Sequence, residues 1–152
     1  MLDVSRYLCE KYDKDHKFIP TDMAQRTTVL QWIHASEGQF MLHALAITYL
    51  RWFAPPSALS DGTVEETERG MSVNVQKDFD WLESELQNSK GQFLLGENLT
   101  AADIMMHFSA HFILARGLGT KGKSWPKVTE WLTACEAREG YKTAVEKSGY
   151  EL

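Results

Sequence analysis

The sequence predicts an all-α protein, a bundle of about five helices preceded by a short N-terminal one. Three observations carry that reading. Apolar residues recur at three and four in every long segment, which is the helical period and not the strand period of two. Helix-start pairs, a hydroxyl or acid followed three residues on by an acid or amide, stand at Asp22, Thr63 and Thr100. Pro and Gly fall between the periodic segments, at Pro55, Pro56, Gly91, Gly96, Gly117, Gly140 and Gly149. A chain of 152 residues that is 43% hydrophobic, with five Trp and seven Phe, is long and apolar enough for one buried core.

Taken in order, residues 1 to 12 place Leu2, Val4, Tyr7 or Leu8, and Tyr12 at helical spacing, beginning at Met1 without a cap. Residues 13 to 21 are charged, contain Pro20 and read as a linker. Asp22 with Gln25 opens a long helix that Ala54-Pro55-Pro56 stops, with Val29, Trp32, Ile33, Leu42, Leu45, Tyr49 and Phe53 as its apolar positions. Gly38 inside it costs about 1 kcal/mol against Ala, and permits a kink or a close helix approach. Ser57 to Gly62 reads as a loop. Thr63 to Glu66 is a capping box for a second long helix running to about Lys90, with Val75, Phe79, Leu82 and Leu86 inward and Lys77, Asp78, Glu83 and Glu85 on the wet side. Two long helices joined by a short loop pair antiparallel.

The most informative stretch is 91 to 117. Thr100 and Asp103 form a capping box, with Leu99 and Ile104 as its hydrophobic staple and Asp103 in the positive end of the dipole. The helix that follows is apolar nearly all round, so it belongs inside the bundle. Arg116 and Gly117 close it. After a polar loop, Pro126 starts a helix with Val128, Trp131, Leu132 and Cys135 inward; Gly140 ends it, and Tyr141 to Lys147 makes a last short helix before Gly149.

Several function classes are disfavoured. Net charge is −5 with no basic run, which argues against nucleic acid and anionic membranes as partners. The longest apolar run, Phe40 to Leu50, is too short to cross a bilayer, and no targeting segment is visible. Cys9 and Cys135 lie far apart in no metal-ligand or CxxC spacing, as suits free, inert thiols in a reducing cytoplasm. No nucleophile elbow or phosphate-cradling glycine loop occurs.

Aromatic-Leu-Leu-Gly at Phe93 to Gly96, then Leu99-Thr100-Ala101-Ala102-Asp103-Ile104, resembles the helical C-terminal domain of cytosolic glutathione transferases. Trp32-Ile33-His34-Ala35-Ser36-Glu37-Gly38 is similar to a run of the fungal and bacterial members. The string from Trp125-Pro126 through Trp131-Leu132 to Gly140-Tyr141 looks like the family's closing pattern, with Glu139 where a Pro is usual. The resemblance makes 1 to 12 a remnant of the last helix of a thioredoxin-like domain, with Val4, Tyr7 and Leu8 filling its motif, 13 to 21 the linker, and 22 to 150 the helical domain. The Glu-Ser pair that holds glutathione's γ-glutamyl end would fall at Met1 and just before it, and is absent.

That resemblance implies a glutathione-conjugating or peroxide-reducing enzyme in which this chain lines the hydrophobic electrophile site and forms part of a homodimer interface. The thiol-activating Tyr, Ser or Cys would belong to the thioredoxin-like half, so no residue here is assigned to catalysis. Glutathione would be a co-substrate, and no cofactor is implied. The alternative is a non-catalytic interaction module, as in elongation factor gamma subunits or synthetase-associated scaffolds.

His34, Glu37 and Met41 are spaced three and four apart on the long helix. As site residues, His34 and Glu37 would meet glutathione and Met41 the substrate pocket; as ordinary residues, they are a surface pair and a core methionine. His107 and His111, one turn apart on the buried helix, carry three readings. They line the substrate pocket, or bind a metal as an i,i+4 pair, or are satisfied core histidines bonded to backbone, Glu37 or Asp80. No third ligand is evident in the sequence, so no metal is assigned. Phe108 and Phe112, on the opposite stripe, read as core.

Overall fold

The structure is a computed structural model that describes residues 2 to 150, with side chains from Val4 onward. Met1, where the end of the Glu-Ser pair would fall, lies outside the described residues, as does the side chain of Leu2. Among the described residues eight α-helices follow one another: α1 Leu2–Tyr12, α2 Met23–Ala35, α3 Leu42–Phe53, α4 Pro56–Ser60, α5 Thr63–Asn88, α6 Ala101–Ala115, α7 Pro126–Glu136 and α8 Glu139–Ser148. Among the described residues there is no strand, only an isolated bridge between Phe93 and Gly96.

The long helix is continuous but not uniform. Between α2 and α3, Ser36–Met41 winds as a π turn. The Ser36 carbonyl accepts a hydrogen bond from Ser109 Oγ of α6 at 3.0 Å, and its own hydroxyl donates to the Ile33 carbonyl at 2.7 Å. An outside donor of that kind holds a local widening of the helix. Gly38 sits in the turn with open space where a Cβ would be, so it serves no close helix approach.

Helix α6 occupies the centre, packed against α2, the π turn, α7 and α1, while α5 packs against α3 and α7. An aromatic spine ties the layers. Trp81 stacks on Trp32 with centroids 4.1 Å apart, Phe40 meets Phe79 at 5.7 Å, and Phe79 meets Trp125 at 4.7 Å. Such pairs add about 0.5–1.5 kcal/mol each beyond area burial.

Several local expectations are corrected. The Ser57–Gly62 loop contains the short helix α4. The start of α5 is not capped by Thr63: the helix begins there, and Asp61 Oδ1 accepts from the Thr63 amide at 2.9 Å instead. Gly140 does not end α7; it lies inside α8, whose first residue is Glu139, the position where Pro is well tolerated. Asp78 is not on the wet side. It is buried and takes Gln39 Nε2 at 2.7 Å and His43 Nδ1 at 2.6 Å. On α3 the buried face runs through Ala44, Ile47 and Thr48, leaving Tyr49, Trp52 and Phe53 exposed. That helix is apolar on two faces, and periodicity does not say which one α5 covers.

Two other ends are closed as their residues allow. Asp22 Oδ1 accepts from the Gln25 amide at 3.0 Å. At the end of α6, Gly117 adopts φ +58°, with its amide on the Leu114 carbonyl and the Leu118 amide on the Ile113 carbonyl. This paired arrangement needs a left-handed residue, and glycine takes it without a Cβ clash.

Candidate functional site

Several hydrogen bonds converge on the N-terminal end of α6. Asp103 is completely buried, and the reciprocal box with Thr100 is formed. Its Oδ2 accepts from the Thr100 amide at 2.8 Å and hydroxyl at 2.9 Å. Its Oδ1 accepts from the Leu94 amide at 2.9 Å and from Trp131 Nε1 at 3.0 Å. One carboxylate therefore joins the preceding turn, the start of α6 and α7. The segment between α1 and α2 adds to this: the Phe18 carbonyl accepts from the Ala101 amide at 3.0 Å. Asp13 folds that segment by accepting from the amides of Lys17 and Phe18 at 3.0 and 2.7 Å.

The segment between α1 and α2, the cap and α8 border a cleft of about 960 Å³, lined by Phe18, Leu95, Ile104, His107, Arg138 and Tyr141 among others. The volume matches a small-molecule site. Thr100 and Asp103 also border it, but the Asp103 carboxylate is already fully bonded to the protein. The residues α8 brings, Tyr141 above all, were not singled out from sequence, because no local signal says which face of a short terminal helix turns back on the core. Burial, with Glu136 nearby, raises the Tyr141 phenol above its usual range, so it remains a hydrogen-bond donor. Cys135 borders the cleft as well; burial pushes its thiol well up, which makes it a poor nucleophile.

His107 is buried, with Nε2 3.2 Å from Glu136 Oε1. Its ring meets the Tyr141 ring at 5.0 Å and that of His111 at 5.5 Å. Burial holds His107 below the ordinary histidine range despite Glu136, so the imidazole is neutral at pH 7. His111 Nδ1 is buried without a hydrogen bond, 3.9 Å from the same Glu136 oxygen. Thus the partner across the bundle is Glu136, not Glu37 or Asp80. Asp80 is engaged by Lys123 and by Trp125 Nε1, at 2.7 and 2.8 Å. The sequence offers no third ligand for the pair; the structure brings one, since the three donor atoms lie within 4.8 Å of one another.

His34 is exposed on α2, and Glu37 and Met41 are half-buried in the π turn. None of the three borders the large cleft, and the wider turn takes Glu37 and Met41 out of simple α-helical register with His34. His107 does border it, while His111 faces Glu136 one turn further on. Phe108 is not core: it is 37% exposed and stacks on half-buried Phe112 at 6.1 Å. A second groove, about 720 Å³, runs between α1 and α6 past Leu8, Cys9, Tyr12, Ile104 and Met105. No helix of the described residues is long and apolar enough to cross a membrane.

A family model for the glutathione S-transferase C-terminal domain matches residues 43–139. Glutathione S-transferase tcpG of Claviceps purpurea is 25% identical over 131 residues, covering 86% of this chain and 49% of that protein. Glutathione S-transferase 1 of Manduca sexta is 27% identical over 139 residues, covering 91% and 59%. The chain thus spans about half the length of the curated relatives it matches. Among solved structures, Ure2p5 of Phanerochaete chrysosporium, cocrystallised with 1-(S-glutathionyl)-2,4-dinitrobenzene, superposes with TM-score 0.75 at 22% identity, over 97% of this chain and 67% of that one. A Burkholderia graminis glutathione transferase with two glutathione molecules bound per subunit gives TM-score 0.76 at 20% identity, over 95% and 58%.

Proposed function

Because the chain belongs to the glutathione S-transferase C-terminal domain family, we propose that it is the helical half of a glutathione-conjugating or peroxide-reducing enzyme of the cytoplasm. In this reading a thioredoxin-like domain completes it and supplies the group that lowers the glutathione thiol pKa. The helical half supplies the wall that holds an apolar electrophile beside the resulting thiolate. Residues 1 to 12 are then the end of that other domain, 13 to 21 the linker and 22 to 150 the helical domain.

The observation that carries the reading is the exposed apolar surface of α1. Val4, Tyr7, Leu8 and Tyr12 are 61%, 56%, 48% and 65% exposed. Four large apolar residues on one short helix are a surface awaiting cover, and a sheet of a preceding domain is a natural cover for it. His34, exposed on α2, and Glu37, half-buried in the π turn, are assigned to the polar ends of glutathione. Met41, His107 and His111 are assigned to the electrophile side, His107 through the cleft it borders and His111 one turn further along α6. The exposed aromatic cluster Tyr49, Trp52 and Phe53, with centroids 6.1 to 6.4 Å apart, is assigned to the homodimer interface. The reported relatives are transferases, which favours this reading over a non-catalytic module.

The test is turnover. Expressed from its complete reading frame, the protein conjugates glutathione to a halonitrobenzene or reduces an organic peroxide. In that protein His34→Ala and Glu37→Gln raise KM for glutathione severalfold and leave kcat near the parent value. The 152-residue chain alone turns over neither substrate. Inactivity of the complete protein on both substrates, or turnover by the chain alone, overturns the reading.

A further inference from the structure

We propose that His107, His111 and Glu136 form a binding site for a single divalent transition-metal ion of the zinc class, clamping α6 to the end of α7. The two histidines sit one turn apart on α6, and Glu136 is the last residue of α7. His107 Nε2, His111 Nδ1 and Glu136 Oε1 all lie within 4.8 Å of one another. In a tetrahedral site with metal–ligand bonds of about 2.0–2.1 Å, ligand atoms stand roughly 3.3–3.4 Å apart. The His107–Glu136 edge, 3.2 Å, already has that length, and the His111–Glu136 edge, 3.9 Å, closes by a small side-chain rotation.

Two further observations point to a ligand. His111 Nδ1 is shielded from solvent yet has no hydrogen-bond partner, and a buried polar atom left unbonded calls for an explanation. A cation between the imidazoles and the carboxylate gives that nitrogen a partner that the 3.9 Å gap denies it. The donor set, two imidazoles and one carboxylate, is also the set found in open zinc sites that keep a position for water. His111 and Glu136 side chains are 31% and 39% exposed, so the ion has a path from solvent. His107 is walled by Tyr141 and Trp131, which fix its ring. The site is complete on this chain and independent of the transferase reading, since it needs neither glutathione nor a second domain.

The experiment is calorimetric titration of the metal-free 152-residue chain with zinc chloride, repeated with cobalt chloride and followed by visible absorption. One ion binds per chain at low-micromolar concentration, and cobalt gives weak ligand-field bands without an intense thiolate charge-transfer band. His111→Gln and Glu136→Gln, changes at partly exposed positions, each weaken zinc at least about tenfold. Glu130→Gln, which removes an exposed carboxylate of α7 outside the cluster, leaves binding unchanged. Circular dichroism verifies that the variants fold. If either does not fold, zinc protection of His111 from diethylpyrocarbonate in the parent chain, read by mass spectrometry, decides instead. Lack of saturable binding, equal affinity in the variants, a thiolate band or unprotected His111 overturns the proposal.

Discussion

Asp103 and Glu136 are both carboxylates set against α6, and the molecule uses them in opposite ways. Asp103 is completely buried, and each of its oxygens accepts two hydrogen bonds, so its acceptor capacity is full. Glu136 is 39% exposed and faces two imidazoles, one within hydrogen-bond reach at 3.2 Å and one outside it at 3.9 Å. The first arrangement can only hold the fold together. The second keeps unused bonding capacity beside His107, which borders the cleft, and unused capacity is what a ligand requires. Burial and saturation mark architecture; partial exposure and an unpaired donor set mark a site.

The largest effect that tests this contrast is Asp103→Ala. It removes the box and leaves the Leu94 amide, the Thr100 amide and Trp131 Nε1 without their acceptor. Loss of about 4 kcal/mol is expected from the unsatisfied groups alone, read from urea unfolding of the purified chain. A loss below about 1 kcal/mol would break the comparison, because the saturated carboxylate would then be dispensable.

A second carboxylate sharpens it. Glu68 is buried and takes Arg51 through two bonds of 2.8 and 2.9 Å and Lys121 through one of 2.7 Å. Arg51 in turn donates to the Arg116 and Gly117 carbonyls, so this cluster ties α3, α5 and the end of α6. The Arg51 guanidinium, with Lys121, lowers the Glu68 carboxyl from 4.5 to about 2. The folded value lies below the unfolded one, so the unfolded state takes up the proton first. The stabilisation is present above about pH 4.5 and is lost as pH falls toward about 2. Glu68→Gln should cost about 2 kcal/mol at pH 7, held to that size because Arg51 and Lys121 reach solvent. Unfolding midpoints between neutral pH and the acid limb check both statements: the parent loses more stability on acidification than the variant.

Glu136→Gln is expected to have the smallest effect on the metal-free chain, under about 1 kcal/mol at pH 7, because His107 is neutral there and Gln still accepts a hydrogen bond. Acid separates the two proteins. His107 is depressed below 6.5 in the folded state, so stability falls as pH drops below about 6.5. Without the Glu136 charge that partly offsets burial, the folded value falls further and the variant loses more. Equal slopes across that range for parent and variant would place Glu136 outside the His107 environment.

Much of the architecture could be read from local pattern. The periods of α5, α6 and α7, the Asp22 cap and the glycine stop after α6 each depend on residues within one or two turns of each other. The errors have a common cause. Asp78 reads as solvated until Gln39 and His43 arrive from the facing helix, and Phe108 reads as core until α6 is seen to turn that face outward. The Thr63 box reads well locally, yet Asp61 two residues earlier reaches the amide first. For the candidate site, the histidine pair is visible on α6, but Glu136 sits 29 and 25 positions away from its members on a different helix.

The sequence by itself determined the fold class, the buried course of α6 and the identity of its capping pair. Helical period and capping are short-range, and the chemistry of a few neighbouring side chains decides them. Only the tertiary structure decided which apolar face of α3 is covered, that the long helix opens into a π turn, and that a carboxylate closes on two histidines. Each of those depends on a partner delivered by another helix, and side-chain spacing along one helix carries no record of what packs across from it.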